Sequence, residues 1–207
     1  MIKLVSYPAR PLNGGRLGLV TKKPIYLWSS KLNGWRAVIH TPTRTMFNRQ
    51  GQEITIASEF HEALEDLSRS GFEWIDAEAL ERRHHIGRGS LIILDAIIPE
   101  APHLDAHDRF SQLIRAADRL AWPVLGLGQR PDKSRVYLLH QSALSDASPT
   151  GKSALTQWWA QMQAFNQQWG ADFYEGLVAK RADSPYPIQL RSPDAESPFW
   201  VKHRWAW

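Results

Sequence analysis

The chain has 207 residues, 43% of them hydrophobic, with 25 Lys and Arg against 21 Asp and Glu, a formal net charge of +4. That length leads to one domain over residues 1–207, and the cationic surplus suits an anionic partner. The absence of cysteine excludes a disulfide scaffold, a thiolate metal site and a cysteine nucleophile; with no signal-type leader and no apolar run near the ~20 residues that span a bilayer, the expectation is a soluble, cytoplasmic protein without membrane contact.

Residues 7–16, with Pro8, Pro11, Gly14 and Gly15, form a loop by composition. Residues 24–28 read as a short strand and residues 37–40 as another. Asn33-Gly34 is the turn between them, a dipeptide suited to hairpins. Lys31 then stands at a strand-to-turn junction on the rim of a sheet. Residues 44–51 read as a strand followed by a tight turn. A helix follows over 58–70, with Ser58 as N-cap, an apolar face of Phe60, Ala63, Leu64 and Leu67, and Gly71 as its stop.

Residues 72–80 form a strand on which Asp76 and Glu78, two apart, share a face. The apolar run 91–98 has the pattern of a strand buried on both sides. A second helix covers 105–121, closed by Pro123, and a strand covers 135–140. After a polar connector, 141–153, comes a third helix over 153–169. Its stripe of Leu155, Trp158, Trp159, Met162, Phe165 and Trp169 reads as core. Strands follow at 174–180 and 199–205, separated by a long loop with four prolines. Strands outnumber helices and show no strand-helix-strand rhythm. The fold class is therefore α+β, with antiparallel β-sheets flanked by helices.

Four segments carry chemistry: Lys31-Leu32-Asn33-Gly34-Trp35-Arg36, Asp76-Ala77-Glu78, Glu175-Gly176-Leu177-Val178-Ala179-Lys180 and Lys202-His203-Arg204. A lysine becomes a nucleophile once it loses its proton, which desolvation or neighbouring cations favour. Attack on a nucleotide α-phosphate would form a phosphoramidate and expel pyrophosphate. The negative charge that builds up needs compensation. Lys202 and Arg204, two apart on one strand, can face one phosphate group. Glu78 and Glu175 can meet sugar hydroxyls or hold Mg²⁺, a hard ion that prefers oxygen. Strict alternation puts Glu175 and Lys180, five apart, on opposite faces, so either a bulge intervenes or one lies at the strand's end.

In this order the segments resemble the motifs of the covalent nucleotidyltransferases: ATP-dependent DNA ligases, RNA ligases and mRNA capping enzymes. Lys31 to Arg36 matches the nucleophile motif, and Asn48-Arg49-Gln50-Gly51 resembles the element that follows it. Asp76-Ala77-Glu78 resembles the Asp-Gly-Glu motif, Leu94-Asp95 falls where the family has Phe-Asp, and the last two segments match the remaining motifs. The resemblance implies a ligase-type nucleotidyltransferase (adenylation) domain that uses ATP with Mg²⁺, Mn²⁺ being a permitted substitute. It implies action on nicked or broken nucleic acid, DNA favoured over RNA.

The roles implied are Lys31 as carrier of AMP, Arg36 at the ribose or the acceptor's 5′ end, and Glu78 on the ribose hydroxyl. Leu94 would pack on the base. Lys180, Lys202 and Arg204 would contact phosphates, Arg49 would grip the 5′-phosphate, and Glu175 with Glu78 would serve the metal. Departures are plain. Leu94 replaces an aromatic residue, Ser29 stands where many DNA ligases have glutamate, and Asn33 replaces aspartate. The sequence stops three residues after Arg204, where the family continues into an OB-fold. The expectation is thus a domain without an OB-fold, leaving open a partner protein that supplies the C-terminal domain. GTP-using capping-type transfer and a non-catalytic nucleic-acid-binding relic are the alternatives.

Other features weigh less. His84-His85 are adjacent and poorly placed to share one ion. His103 and His107 read as exposed polar residues, and Gly87-Arg88-Gly89 as a turn. Most of the ten tryptophans should be core, with Trp200, Trp205 and Trp207 the ones placed to stack on bases.

Overall fold

The computed structural model describes residues 2–14, 25–81, 85–144, 149–188 and 190–205. Pro24, Gly15, His84 and Trp207 lie outside them. The strands are β1 (Arg10–Asn13), β2 (Tyr26–Leu32), β3 (Trp35–His40), β4 (Thr45–Phe47), β5 (Trp74–Ala79), β6 (Leu91–Ile97), β7 (Val124–Leu125), β8 (Val136–Leu139), β9 (Ser142–Leu144), β10 (Tyr174–Arg181) and β11 (Glu196–Arg204). The helices are α1 (His61–Leu67), led by a 3₁₀ turn, α2 (Ala106–Leu120) and α3 (Pro149–Trp169).

The strands make two sheets. One has the order β1-β11-β10-β2-β9 and the other β4-β3-β5-β6-β8-β7. The fold is α+β, as expected, but the sheets are mixed. The β1–β11, β6–β8 and β7–β8 pairs run parallel where antiparallel sheets were expected. A parallel partner needs a long crossover, and here long connections supply it. Among the described residues no barrel of the OB type occurs, and no helix is long and apolar enough to cross a membrane.

Alternation along the strands decides which side meets what. On β3, β5 and β6, residues Ala37, Ile39, Ile75, Ala77, Leu91 and Ile93 join α1 and α2 in one core. The opposite face of that sheet packs towards the first sheet, through Val38, Trp74 and Ile97 against Trp200 and Tyr186. The first sheet turns its other face to α3, where Trp28, Leu32 and Leu177 meet Leu155 and Met162. The site residues occupy the space between the sheets.

Four expectations need correction. Asn33-Gly34 does not close a hairpin, because β2 pairs with β10 and β9 while β3 pairs with β4 and β5. The chain changes sheets there. Residues 7–16 were read as loop but contain β1; it is an edge strand, where Pro11 has no amide to contribute and none is needed. Ser58 opens the 3₁₀ turn rather than capping it, and Ala57 at the cap makes no side-chain bond. The polar connector is shorter than its composition implied, since β9 lies inside it and α3 already begins at Pro149.

Two β-bulges matter more. Register slips between Tyr174 and Gly176 on β10, leaving Glu175 as the extra residue. It also slips on β6, where Asp76 faces Asp95 but Ala77 faces Ile93, leaving Leu94 as the extra residue. Bulges re-aim side chains next to functional sites.

Candidate active site

One face of the first sheet forms a floor of three cross-strand rungs. Lys31, Gly176 and Arg204 make the first. Ser29, Val178 and Lys202 make the second, and Leu27, Lys180 and Trp200 the third. A cavity of about 470 Å³ opens above this floor. Gly34, Trp35, Arg36, Glu78 and Leu94 close it from the second sheet and the turn that leads into it.

The Lys31 amine donates to the Glu175 carboxylate, and Arg204 Nη2 approaches the same Glu175 oxygen at 3.0 Å. The β10 bulge makes this possible. Gly176 has φ +143°, and a Cβ there would lie 1.9 Å from the His203 carbonyl oxygen, so only glycine lets β10 and β11 come this close. The bulge also resolves the alternation problem: Glu175 reaches Lys31 while Val178 and Lys180 keep their places on the floor.

Glu78 Oε1 accepts from the Gly34 amide at 2.8 Å. Burial pushes the Glu78 carboxyl above its ordinary range. Lys31 and Arg36 oppose this, while the nearby Glu175 charge adds to it. Two carboxylates that feel each other beside one lysine suit a hard divalent cation, which would relieve their repulsion.

Arg36 is heavily committed. Its Nε donates to Asp76 Oδ1 at 2.7 Å, Nη2 donates to Asp76 Oδ2, and Nη1 donates to the Ala9 carbonyl at 2.8 Å. Burial alone would lower the Arg36 pKa, but the Asp76 carboxylate and its hydrogen bonds raise it overall. Tyr186 donates its hydroxyl to Asp76 Oδ2 at 2.8 Å. Trp200 stacks between two cations, with Arg36 5.2 Å and the Lys180 amine 4.5 Å from its ring centre. At 1% exposure, Trp200 is a packed wall of the cavity. Trp205 packs edge-on against Trp159.

Between the two sheets, the Lys180 amine donates to the Leu94 carbonyl and, at 3.1 Å, to Asp95 Oδ2. Arg109 meets the same carboxylate at 2.9 and 3.1 Å. Burial would raise the Asp95 pKa, but Arg109 and Lys180 outweigh it and hold it at about 2.

The cationic end of the cavity carries Arg10, Arg49, Lys202 and Arg204. Partial burial, with Arg10 and Arg204 nearby, lowers the Lys202 pKa. Asp194 Oδ1 accepts from Arg10 Nη1 at 3.1 Å and lies 3.5 Å from Arg49 Nη2.

Of the residues singled out in the sequence, Lys31, Arg36, Arg49, Glu78, Leu94, Lys180, Lys202 and Arg204 all line this one cavity, and Glu175 touches it through Lys31 and Arg204. Sequence reasoning missed Arg10, hidden in a stretch read as loop, and the buried Arg109, and it gave Asp76 no role of its own. For Arg10 the only signal is a charge amid apolar neighbours, Ala9, Pro11 and Leu12; Arg109, between Asp108 and Phe110, carries none. His85 does not line the cavity. His107 is exposed, in a cluster with Asp105 and Asp108 at the start of α2. Arg88, between the positive-φ Gly87 and Gly89, pairs with Glu59 at 2.7 Å.

No family model and no curated protein matches the chain. Solved structures do. The ligase domain of LigD from M. tuberculosis is 16% identical with a TM-score of 0.61, over 97% of this chain and 59% of that one. Chlorella virus DNA ligase-adenylate is 15% identical with a TM-score of 0.60, over 97% of this chain and 69% of that one. The structure named Pmar-Lig is 14% identical with a TM-score of 0.60, over 87% of this chain and 42% of its own length, so the chain spans less than half of it. Among the described residues, two mixed sheets, three helices and a lysine where the chain crosses between the sheets give the chain the fold found in these DNA ligase structures.

Proposed function

We propose that the chain is an ATP-dependent polynucleotide ligase that works through a lysyl-AMP intermediate on Lys31. It would seal a 5′-phosphate to a 3′-hydroxyl, with DNA ends favoured over RNA ends. The supporting observation is the Lys31 amine, held against Glu175 on the floor of a cavity whose far end is cationic.

In this reading the Lys31 Nζ lone pair forms a bond to the α-phosphorus of ATP. The bond from that phosphorus to the bridging oxygen breaks, and the electron pair leaves with pyrophosphate. Glu175, already hydrogen-bonded to Nζ, is placed to accept the departing proton. Lys202 and Arg204 neutralise charge on the phosphates. The Lys180 amine is engaged with Asp95 and Leu94, so its help to the phosphates is electrostatic. Glu78 faces the ribose hydroxyls, while Arg36, fixed by Asp76 and Ala9, shapes that wall. Mg²⁺ or Mn²⁺ held by Glu78 and Glu175 would supply further charge neutralisation. A 5′-phosphate oxygen then takes AMP from Lys31, and a 3′-hydroxyl displaces the AMP.

Incubation with Mg²⁺ and ATP, followed by intact mass, tests this. A gain of one AMP that Lys31→Ala abolishes is the expected result. A gain from GTP alone would move the chain to capping-type transfer. No adduct with either nucleotide in a folded sample would leave a partner-dependent enzyme or a nucleic-acid-binding relic. Nicked DNA and nicked RNA duplexes then decide the acceptor.

A second expectation concerns the rim. A terminal phosphate at Arg10 and Arg49 must displace Asp194. Asp194→Asn should therefore tighten binding of a nicked duplex with a 5′-phosphate by about fivefold, with little effect on a 5′-hydroxyl duplex. Fluorescence anisotropy at two salt concentrations reads both.

A further inference from the structure

The inference rests on the reading of the cavity as a nucleotide site and concerns the base it takes. The cavity is polarised across the strands. Cations line the β11 and β1 side, with Lys202, Arg204 and Arg10. Two inter-strand spacings away, about 10 Å, Ser29 ends the middle rung on β2. Around Ser29 stand Val178, Leu94 from its bulge and Leu139. With a triphosphate over the cations, the base falls at this apolar end.

The polar groups near that end are mostly spent. Ser30 Oγ accepts from Trp158 Nε1 at 3.1 Å, on the α3 side. The Leu94 carbonyl accepts from both Lys180 and Gln141. Glu78 is the single carboxylate among the described lining residues, and it is bonded to Gly34. Ser29 differs. It is 4% exposed, lines the cavity, and its hydroxyl makes no hydrogen bond to another described residue.

Adenine presents a donor at its 6-position and guanine an acceptor. A carboxylate could only accept and an ammonium could only donate, but a hydroxyl does either. Sites with a dedicated polar partner reject the wrong ligand by about 10⁴-fold, whereas apolar pockets separate near-isosteres by only about 10- to 100-fold. We propose that this cavity takes purine nucleoside triphosphates with little choice between adenine and guanine, because the Ser29 hydroxyl can donate to one and accept from the other.

Lys31→Ala protein permits equilibrium binding without chemistry. Titration calorimetry with ATP and with GTP should give dissociation constants within about tenfold of each other. Adding Ser29→Ala should weaken both by a similar factor. Adding Ser29→Glu, which fixes an acceptor, should favour ATP by at least about tenfold over the Lys31→Ala ratio. A preference of about 100-fold or more for one purine in the protein with Ser29 intact overturns the proposal. So does a Ser29→Ala effect on one purine alone. Binding of neither nucleotide removes the proposed function with it. Comparable binding of both, with no adduct on the unsubstituted lysine, removes the ligase reading only.

Discussion

Asp95→Asn is expected to cost about 3–5 kcal/mol of stability, because it removes the one anion shared by two buried cations. Asp95 is 3% exposed, Arg109 1% and Lys180 4%. Arg109 also donates to the Leu104 and Ser184 carbonyls, so it cannot swing out to solvent without breaking those bonds. The substitution leaves both buried charges without their shared anion. Urea unfolding should show a lower midpoint with an unchanged slope. The exposed Arg181–Asp183 pair is the control, and Asp183→Asn should leave the midpoint within error.

The same carboxylate sets an acid limit. Its folded pKa of about 2 lies below the ordinary 3.8, so its stabilisation is fully present above pH ~4 and is lost as pH falls towards 2. The loss is on the order of 2 kcal/mol. In the Asp95→Asn protein, that part of the acid dependence should be missing. An unchanged acid profile would sink the assignment.

Gly176→Ala should be comparably severe and should also disable the site. At φ +143° with a carbonyl oxygen 1.9 Å from the new Cβ, either β10 or β11 must move. A cost on the order of 3 kcal/mol or more follows from strain and lost pairing. Relaxing the bulge would return Glu175 to strict alternation and turn its carboxylate away from Lys31. Adduct formation should fall further than unfolding explains, measured at a temperature where the variant remains folded. Gly170→Ala separates conformation from crowding. Gly170 has φ +59° but nothing within 4 Å of an added Cβ, so about 1–2 kcal/mol and normal adduct formation are expected.

The residues that carry the chemistry were legible in sequence because they recur at short spacings: Lys31 with Arg36, Lys202 with Arg204, Glu175 with Lys180. Alternation, with its period of two, marked Glu175 as the place where a bulge or a strand end was needed; it gave no sign of the bulge at Leu94, because a bulge leaves no mark in composition. Asn33-Gly34 carries a hairpin signal, yet its flanking strands join different sheets because each finds a longer partner elsewhere. Arg10 was hidden because Pro8, Pro11 and Gly14 read as loop, whereas an edge strand tolerates them. Arg109 was not singled out, because burial of a charge depends on partners distant in sequence.

The sheet orders also bear on how the chain acquires its shape. The second sheet draws all its strands from Trp35 to Leu139, one uninterrupted stretch. The first unites β1 and β2 with β10 and β11, so closing it requires loops of more than 100 residues, the slow kind of pairing. Lys31 therefore meets Glu175 only once β10, well into the last third of the chain, has been made. During synthesis the helix-backed half can settle first, and the reactive lysine stays without its carboxylate until the final strands arrive.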